Sequence, residues 1–268
     1  MPQSPSFGCA LITGASSGLG AEFALQLAAR ASTLVLVARR EQLLNPLADR
    51  IRVQFPQVEV VTFVVDLNHF AERNQLITTL SARGFFPDLL VNNAGLGDYG
   101  EFASADWARL ESMLHVNIEA LTHFSHAVVP EMIRRGGGAI INVSSLASVI
   151  PIPDFAVYAA TKAYVTSFSE ALRLELREHR IAVLAVCPGP VRTEFGEVSR
   201  RSLDAPAMPS NKSFYVAKEQ VVAESLAALA RHSARVYPGF KTAAAARVLS
   251  ALPLVLLRWM LSFRPRRS

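Results

Sequence analysis

Three side chains in the middle of the sequence have the types and spacing of an acid/base centre. Tyr158 and Lys162 lie four residues apart in a stretch with helical periodicity, so they share one helix face. A neighbouring ammonium group stabilises a phenolate, which predicts a Tyr158 pKa below the ordinary value of about 10. Ser145 ends a predicted strand thirteen residues earlier, where its hydroxyl can bond to a carbonyl or alcohol oxygen. Taken alone, a Tyr and a Lys at this spacing also arise by chance on ordinary helices.

A second group of residues is typical of a nucleotide-binding turn. The segment Thr13–Gly20 joins a predicted strand to a predicted helix and contains three glycines. Gly14 permits a tight turn, Gly18 close approach of the backbone to a pyrophosphate, and Gly20 close helix packing. The free N–H groups of the helix N-terminus then face the phosphates. A plain strand-to-helix turn is the alternative, but the flanking strand and helix favour a dinucleotide site.

The residues after the second predicted strand distinguish between the two nicotinamide coenzymes. An NAD-binding fold normally has a carboxylate there for the ribose 2′-hydroxyl, whereas here Ala38 is followed by Arg39 and Arg40. A guanidinium group can bind a 2′-phosphate through two hydrogen bonds. The sequence therefore favours NADP(H), and two solvated arginines at the start of a helix are the alternative.

These residues must be positioned by a regular alternation of short apolar segments and longer helical ones. Six segments rich in apolar and β-branched residues are predicted strands: Cys9–Thr13, Thr33–Val37, Val58–Val65, Leu89–Asn92, Ala139–Val143 and Ile181–Val186. Helices are predicted between them, notably over Leu19–Arg30, Glu41–Phe55, Arg73–Arg83, Asp106–Arg135 and Tyr158–His179. The alternation predicts a single α/β domain, a doubly wound parallel sheet (Rossmann fold) with helices on both faces.

The carboxyl ends of the predicted strands carry further candidate ligand-binding residues. Asp66 and Leu67 close the third strand, and the segment Asn92–Gly95 closes the fourth. Open α/β sheets bind ligands at this edge. After the sixth strand, residues 188–217 lack clear periodicity and are predicted to form a substrate-binding loop.

Together the motifs resemble those of the classical short-chain dehydrogenase/reductase family. The family's TGxxxGxG, NNAG, Asn, Ser, YxxxK and PG elements occur in order within residues 7–193. The resemblance implies an NADP(H)-dependent oxidoreductase that transfers a hydride between nicotinamide and a carbonyl group or secondary alcohol. It implies a catalytic tetrad of Asn117, Ser145, Tyr158 and Lys162, in which Asn117 holds a water that links Lys162 to solvent.

The resemblance also implies how the coenzyme is bound. Lys162 would bind the nicotinamide ribose, Asp66 the adenine, and the residues from Asn93 to Gly95 would flank the adenosine ribose. Residues after the sixth strand would hold the carboxamide. The predicted coenzyme-binding residues are Gly14, Ser16, Ser17, Gly18, Leu19, Gly20, Arg39, Arg40, Asp66, Leu67, Asn93, Ala94, Gly95, Tyr158, Lys162, Pro188, Gly189, Val191 and Thr193.

The composition of the chain indicates a folded protein with a buried core. Apolar residues form 51% of the 268-residue chain and charged residues 18%, which excludes a disordered protein. The mean hydropathy of +0.27 is high, and it predicts some apolar surface for contact. Cys9 and Cys187 fall in apolar runs and are expected in the core, without a disulfide. The residues MPQSPSFG have no signal-peptide pattern, so an intracellular, cytoplasmic protein is expected.

The net charge of +5 is unevenly distributed. Between Ser225 and Ser268 there are eight basic residues and no acidic one. In this part of the chain the arginines alternate with Leu, Val, Trp and Phe, and there is no known nucleic-acid-binding motif. Nucleic acid is therefore not a predicted partner. We divide the chain into a catalytic domain over 1–240 and an apolar, basic, helical extension over 241–268.

The extension has several possible partners. The apolar run Val248–Leu257 is too short to span a bilayer, and it contains Pro253. It could pack on its own fold, on another subunit, or at a membrane surface as a peripheral contact. The family resemblance implies a homodimer or homotetramer built through the helices predicted at Asp106–Arg135 and Tyr158–His179.

Other polar residues lead to weaker hypotheses. His115, His123 and His126 share a predicted helix with Glu119, but no zinc signature matches and no metal is predicted. The pair Arg200-Arg201 could meet an anionic substrate or lie in a solvated loop.

Two functions remain open from the sequence. The first is an NADP(H)-dependent reductase or dehydrogenase for a small, hydrophobic carbonyl compound or alcohol. The second is a non-catalytic NADP-binding regulator, because the same fold can serve other functions. The intact tetrad argues against the regulator.

Overall fold

A parallel sheet forms the centre of the protein in a computed structural model, which describes residues 6–201, 214–253, 255, 256 and 259. Its seven strands have the order β3-β2-β1-β4-β5-β6-β7. The strands are β1 (Phe7–Thr13), β2 (Ala31–Ala38), β3 (Glu59–Val64), β4 (Leu89–Asn92), β5 (Gly138–Val143), β6 (Ile181–Val186) and β7 (Arg235–Val236). All neighbouring strands are parallel. The predicted doubly wound α/β fold is confirmed.

Nine α-helices occur in the described part of the chain. They are α1 (Gly18–Leu27), α2 (Glu41–Gln54), α3 (Phe70–Ala82), α4 (Trp107–Leu114), α5 (Leu121–Arg134), α6 (Ala156–Glu175), α7 (Phe195–Val198), α8 (Lys218–Ala230) and α9 (Phe240–Ala251). The sheet separates two large apolar clusters, one on each face. Parallel strands buried on both faces have continuous apolar runs. This explains why the central strands could be recognised in the sequence.

The order of the strands reverses at β1, which lies between β2 and β4. The connection after β1 leads to β2 on one side and the connection after β4 leads to β5 on the other, so a crevice opens beyond the carboxyl ends of β1 and β4. Ligands bind at such points in open α/β sheets. Both cysteines lie in the core as expected, as buried free thiols.

The structure corrects several predicted elements. The helix predicted over Asp106–Arg135 is interrupted by a π-helical turn, His115–Ala120, between α4 and α5. Such a turn is a single-turn bulge inside an α-helix, and the segments on both sides of it keep the helical period, so the sequence pattern predicts one continuous helix. Helix α3 begins at Phe70, three residues before the predicted start. The two-residue strand β7 and the four-residue helix α7 are too short to produce a detectable period.

Candidate active site

A cavity of about 820 Å³ opens at the carboxyl edge of the sheet. Its volume is within the range of small-molecule and cofactor sites. All predicted site residues except Gly20 and Asn117 line it, namely Gly14, Ser16, Ser17, Gly18, Leu19, Arg39, Arg40, Asp66, Leu67, Asn93, Ala94, Gly95, Ser145, Tyr158, Lys162, Pro188, Gly189, Val191 and Thr193. The fold thus brings residues that follow six strands, β1 to β6, into one space.

The glycine turn after β1 forms one wall of the cavity. Gly14 and Gly18 have positive φ angles of 66° and 57°, which side chains rarely adopt. A Cβ atom on Gly14 would lie 2.9 Å from the Ala94 Cα, so the turn must pass close to the end of β4. A Cβ on Gly20 would lie 2.2 Å from the Gly14 carbonyl oxygen. Gly20 is therefore a packing position behind the cavity, the use expected from the sequence.

Two guanidinium groups border the cavity beside this turn. Arg40 donates a hydrogen bond of 2.6 Å to Ser17 Oγ and pairs at 2.9 Å with Glu194. Arg39 pairs with Asp66 at 3.5 Å, and its side chain is 54% exposed. Arg40 is thus held against the phosphate-binding turn, whereas Arg39 is more open to solvent. Two cations beside free N–H groups at the α1 N-terminus fit the phosphates of NADP(H).

Ser145, Tyr158 and Lys162 meet at the opposite end of the cavity. Ser145 caps a short 3-10 turn, Leu146–Val149, and its Oγ accepts a hydrogen bond of 3.1 Å from Ala147 N. The Ser145 hydroxyl also bonds to the Tyr158 phenol. The Tyr158 ring is buried and stacks on Phe155, with 4.1 Å between ring centroids.

The pKa direction predicted for Tyr158 is wrong in this environment. Burial raises the pKa of Tyr158 to about 12, and the hydrogen bond from Ser145 opposes that rise only in part. The Lys162 ammonium lies 5.7 Å from the centre of the Tyr158 ring and donates to Val143 O at 2.9 Å. Burial also lowers the pKa of Lys162, to about 8. Loss of hydration therefore sets the direction of the Tyr158 pKa, and the Lys162 ammonium is directed toward a backbone carbonyl.

Asn117 lies behind the cavity, in the π-helical turn. Its Nδ2 donates to Leu96 O at 2.9 Å and to Thr161 Oγ1 at 3.0 Å, while its Oδ1 accepts from Leu96 N at 2.8 Å. The side chain therefore joins the segment after β4 to helix α6. A Cβ on Gly95 would lie 3.3 Å from Lys162 Nζ and 3.5 Å from Asn117 Oδ1. The missing side chain at Gly95 thus keeps the space above both groups open; the bound water implied for Asn117 stays a prediction.

Sequence reasoning missed most of the apolar wall next to Tyr158. This wall comes from the segment after β4, the connection between β5 and α6, and helix α7. Its main members are Leu96, Tyr99, Ile150, Ile152, Phe155, Phe195 and Val198. The Ile-Pro-Ile-Pro run over 150–153 was a usable signal, since an apolar segment between Ser145 and Tyr158 must lie near both.

Arg201 has neither of the roles considered from the sequence. Its guanidinium pairs at 2.7 Å with Asp98, whose side chain is 1% exposed, and donates to Glu101 O at 2.7 Å. Arg109 also contacts Asp98, at 3.2 Å. These ion pairs fasten the segment after α7 to the segment after β4. The Arg201 guanidinium is thus held by a buried carboxylate in a structural contact, and Arg201 is not among the residues that line the cavity.

The three histidines do not form a metal-binding group with Glu119. His115 Nε2 lies 3.8 Å from the Glu119 carboxylate, and His115 Nδ1 bonds to Asn68 at 3.2 Å. His123 stacks on Phe70. Within the described residues, no three His, Cys, Asp or Glu side chains are arranged to hold a metal ion.

The fold and the cavity define a dinucleotide-binding α/β protein with an acid/base group at one end of the crevice. Residues 8–204 match the family described as short chain dehydrogenase. The chain belongs to this family, as its motifs predicted.

Similar proteins include enzymes and a coenzyme complex. The very-long-chain 3-oxoacyl-CoA reductase of Mus musculus is 32% identical over 203 residues, which cover 74% of this chain and 64% of that protein. The chain therefore matches less than two thirds of the length of that reductase. A short-chain dehydrogenase from Sphingobium yanoikuyae in complex with NADPH is 32% identical, with a TM-score of 0.79 and 97% of each chain covered. The bulky-bulky ketone specific alcohol dehydrogenase from Comamonas testosteroni is 28% identical, with a TM-score of 0.76 and coverage of 97% and 96%.

Proposed function

We propose that the protein is an NADP(H)-dependent oxidoreductase that interconverts a hydrophobic carbonyl compound and its alcohol. The observation that carries the proposal is the placement of Ser145, Tyr158 and Lys162 in one cavity with the glycine turn on one side and an apolar wall on the other. The family membership and the NADPH complex of the Sphingobium protein support the same conclusion. The non-catalytic alternative has no feature of the structure in its favour.

The coenzyme site would extend from the turn after β1 to Lys162. The backbone of Gly14–Leu19 and the α1 N-terminus would hold the pyrophosphate, and Arg39 and Arg40 would hold the 2′-phosphate. The open space above Gly95 would admit the nicotinamide ribose to Lys162. When bound, the nicotinamide supplies or accepts the hydride.

Tyr158 would exchange the proton with the substrate oxygen. A pKa of about 12 keeps the phenol protonated at neutral pH, which is the form needed for carbonyl reduction. Ser145, which bonds to this phenol in the structure, would donate its one hydroxyl proton to the carbonyl oxygen when substrate is bound. The pKa of Lys162, about 8, is close to neutral pH, so its ammonium group could return a proton to the site.

The cavity wall selects the substrate class. Next to Tyr158 it is formed by aliphatic and aromatic side chains, and Arg201 is held away by Asp98. A substrate with bulky apolar groups on the carbonyl would bury those groups there. The Comamonas alcohol dehydrogenase, which is specific for bulky-bulky ketones, supports this choice.

Oxidation of NADPH by a panel of aliphatic and aromatic ketones and aldehydes tests the proposal. We expect turnover to increase with the apolar bulk of the substrate and to fall about 10²- to 10⁴-fold in Tyr158→Phe. NADPH affinity, measured by fluorescence titration, should change little, because the phenol oxygen alone is removed. A protein that binds NADPH but turns over none of the panel, or a variant that keeps more than about a tenth of wild-type kcat, would contradict the proposal.

We also propose a homodimer or homotetramer that uses helices α4, α5 and α6. Trp107, Leu114 and Tyr164 on these helices expose between 36% and 64% of their surfaces. Exposed apolar side chains on neighbouring helices are typical of subunit contacts. Light scattering of the purified protein measures the mass, and Trp107→Glu should lower it. The cytoplasmic location and the division at residue 240 stay predictions.

A further inference from the structure

Helix α9 has one face on the fold and one face in solvent. Thr242 and Ala246 are fully buried. Thr242 Oγ1 lies 2.8 Å from the position that a Cβ on Gly189 would occupy, and Gly189 lines the cavity. The packing on the protein's own fold that the sequence allowed is therefore observed for this face. The opposite face needs a separate explanation.

The solvent face of α9 is apolar. Phe240 is 87% exposed and Val248 is 61% exposed, and Ala244 and Ala251 are exposed at the same helical spacing. Beyond Pro253, Val255 and Trp259 are 74% and 60% exposed. Soluble proteins rarely leave several large apolar side chains this open in one short segment unless they bind something. We define the α9 surface as the exposed side chains Phe240 and Val248 of α9 together with the exposed Val255, Leu256 and Trp259 that follow Pro253.

Basic residues accompany the α9 surface. Lys241 and Arg247 are exposed on the same helix. Between Ser225 and Ser268 the sequence has eight basic residues and no acidic residue. Exposed apolar side chains that include Phe and Trp, accompanied by Lys and Arg, are typical of segments that lie in a membrane interface. Such basic segments are attracted to anionic headgroups.

We propose that the α9 surface binds the surface of an anionic lipid bilayer. The twelve residues of α9 correspond to about 18 Å, well short of the bilayer core, so the helix would lie in the plane of the interface. None of the helices in the described part of the chain has the length and hydropathy that a bilayer crossing requires. A second copy of the chain is a poorer partner, because an isologous contact would bring two basic segments together.

This inference does not depend on the proposed function. Thr242 of α9 packs against the cavity wall at Gly189, whereas Phe240 and Val248 lie on the solvent side of the helix. Variants in the α9 surface should therefore keep their turnover of water-soluble substrates. A loss of lipid binding and a loss of catalysis can be separated in the same preparations.

Co-sedimentation of the full-length protein with lipid vesicles tests the inference. At low salt we expect binding to vesicles of phosphatidylcholine with phosphatidylserine, weak binding to phosphatidylcholine alone, and partial release at high salt. The double variant Phe240→Ser/Val248→Ser should lower the partition coefficient about tenfold or more, because two exposed apolar groups are lost. Val53→Ser is the matched control, since Val53 is 82% exposed on helix α2. The double variant Lys241→Glu/Arg247→Glu should remove the salt-sensitive part of the vesicle binding. Arg50→Glu, at an exposed arginine on helix α2, is its control.

Three results would overturn the inference. One is a wild-type protein that ignores anionic vesicles. Another is a double variant, folded by circular dichroism, that binds vesicles as tightly as the Val53→Ser control. The third is a double variant whose mass in light scattering falls to that of a smaller oligomer, which would assign the α9 surface to contact between copies of the chain.

Discussion

Replacement of Lys162 by Met should abolish the proposed turnover and yet stabilise the nucleotide-free fold at neutral pH. Lys162 is buried, and its ammonium has one described hydrogen bond, to Val143 O at 2.9 Å. Burial lowers its pKa from 10.5 to about 8, so the folded protein holds the charged form less well than the unfolded chain does. Met has a similar length and carries no charge, so the substitution removes the desolvation cost.

The expected gain follows from the size of this pKa change. At about 1.4 kcal/mol per pKa unit, holding the ammonium in the folded protein at pH 7 costs about 3 kcal/mol. The lost hydrogen bond to Val143 O reduces the gain by about 1 kcal/mol. We therefore expect Lys162→Met to raise the free energy of unfolding by about 2 kcal/mol at pH 7.

The sign of the pH dependence identifies the cause. Because the folded pKa is the lower one, the wild-type protein has its full stability above pH 10.5 and loses stability as the pH falls toward 8. The Lys162→Met variant has no ammonium group at this position, so its stability does not fall in this way as the pH is lowered. The difference in unfolding free energy between the variant and the wild type should therefore shrink by about 2 kcal/mol between pH 7 and about pH 9.5. Differences in packing and hydrogen bonding are the same at both pH values, so they do not contribute to this change.

Urea unfolding of both nucleotide-free proteins at the two pH values gives the measurement. Lys218→Met, on a partly exposed lysine, is the control for the loss of a lysine that is not buried. A difference between Lys162→Met and wild type that does not vary with pH would refute the reasoning, because it would show that burial of the ammonium costs nothing.

Three further substitutions test the coenzyme site and the contact behind it. Arg39→Asp should weaken NADPH binding about tenfold or more and shift preference toward NADH, since a charge-assisted bond contributes about 1.5–3 kcal/mol; an unchanged coenzyme ratio in steady-state kinetics would show that Arg39 is only solvated. Gly14→Ala should abolish coenzyme binding in a fluorescence titration, because a Cβ at φ 66° would meet Ala94 Cα at 2.9 Å; wild-type affinity would disprove the close approach. Asp98→Asn should lower the unfolding free energy measured with urea by about 2 kcal/mol. This is less than the loss expected for a fully buried ion pair, because Arg109 reaches solvent. The control Asp49→Asn, in an exposed ion pair, should change the unfolding free energy by less than about 0.5 kcal/mol.

The central strands, the glycine turn and the family could be predicted from the sequence because each depends on local patterns. A strand buried on both faces is a continuous apolar run, and a turn with positive φ selects glycine where it occurs. The glycine turn, Asn92–Gly95 and Ser145 also lie at strand ends, and parallel strands bring all such ends to one edge. The sequence thus predicted which residues would meet at the cavity.

The electrostatic state of the site depended on the tertiary structure. The spacing of Tyr158 and Lys162 predicted a lowered tyrosine pKa, but burial reverses the direction for Tyr158, and the groups that bury it include Phe195, which is far from it along the chain. Desolvation is set by everything that surrounds a group, whereas sequence spacing describes only its neighbours on one helix. Arg201 shows the same limit, because its partner Asp98 is about a hundred positions away along the chain and no local pattern joins them. The sequence by itself determined the fold, the family and the chemical groups of the site, and the three-dimensional packing decided the protonation state of those groups and which charges remain free to meet a ligand.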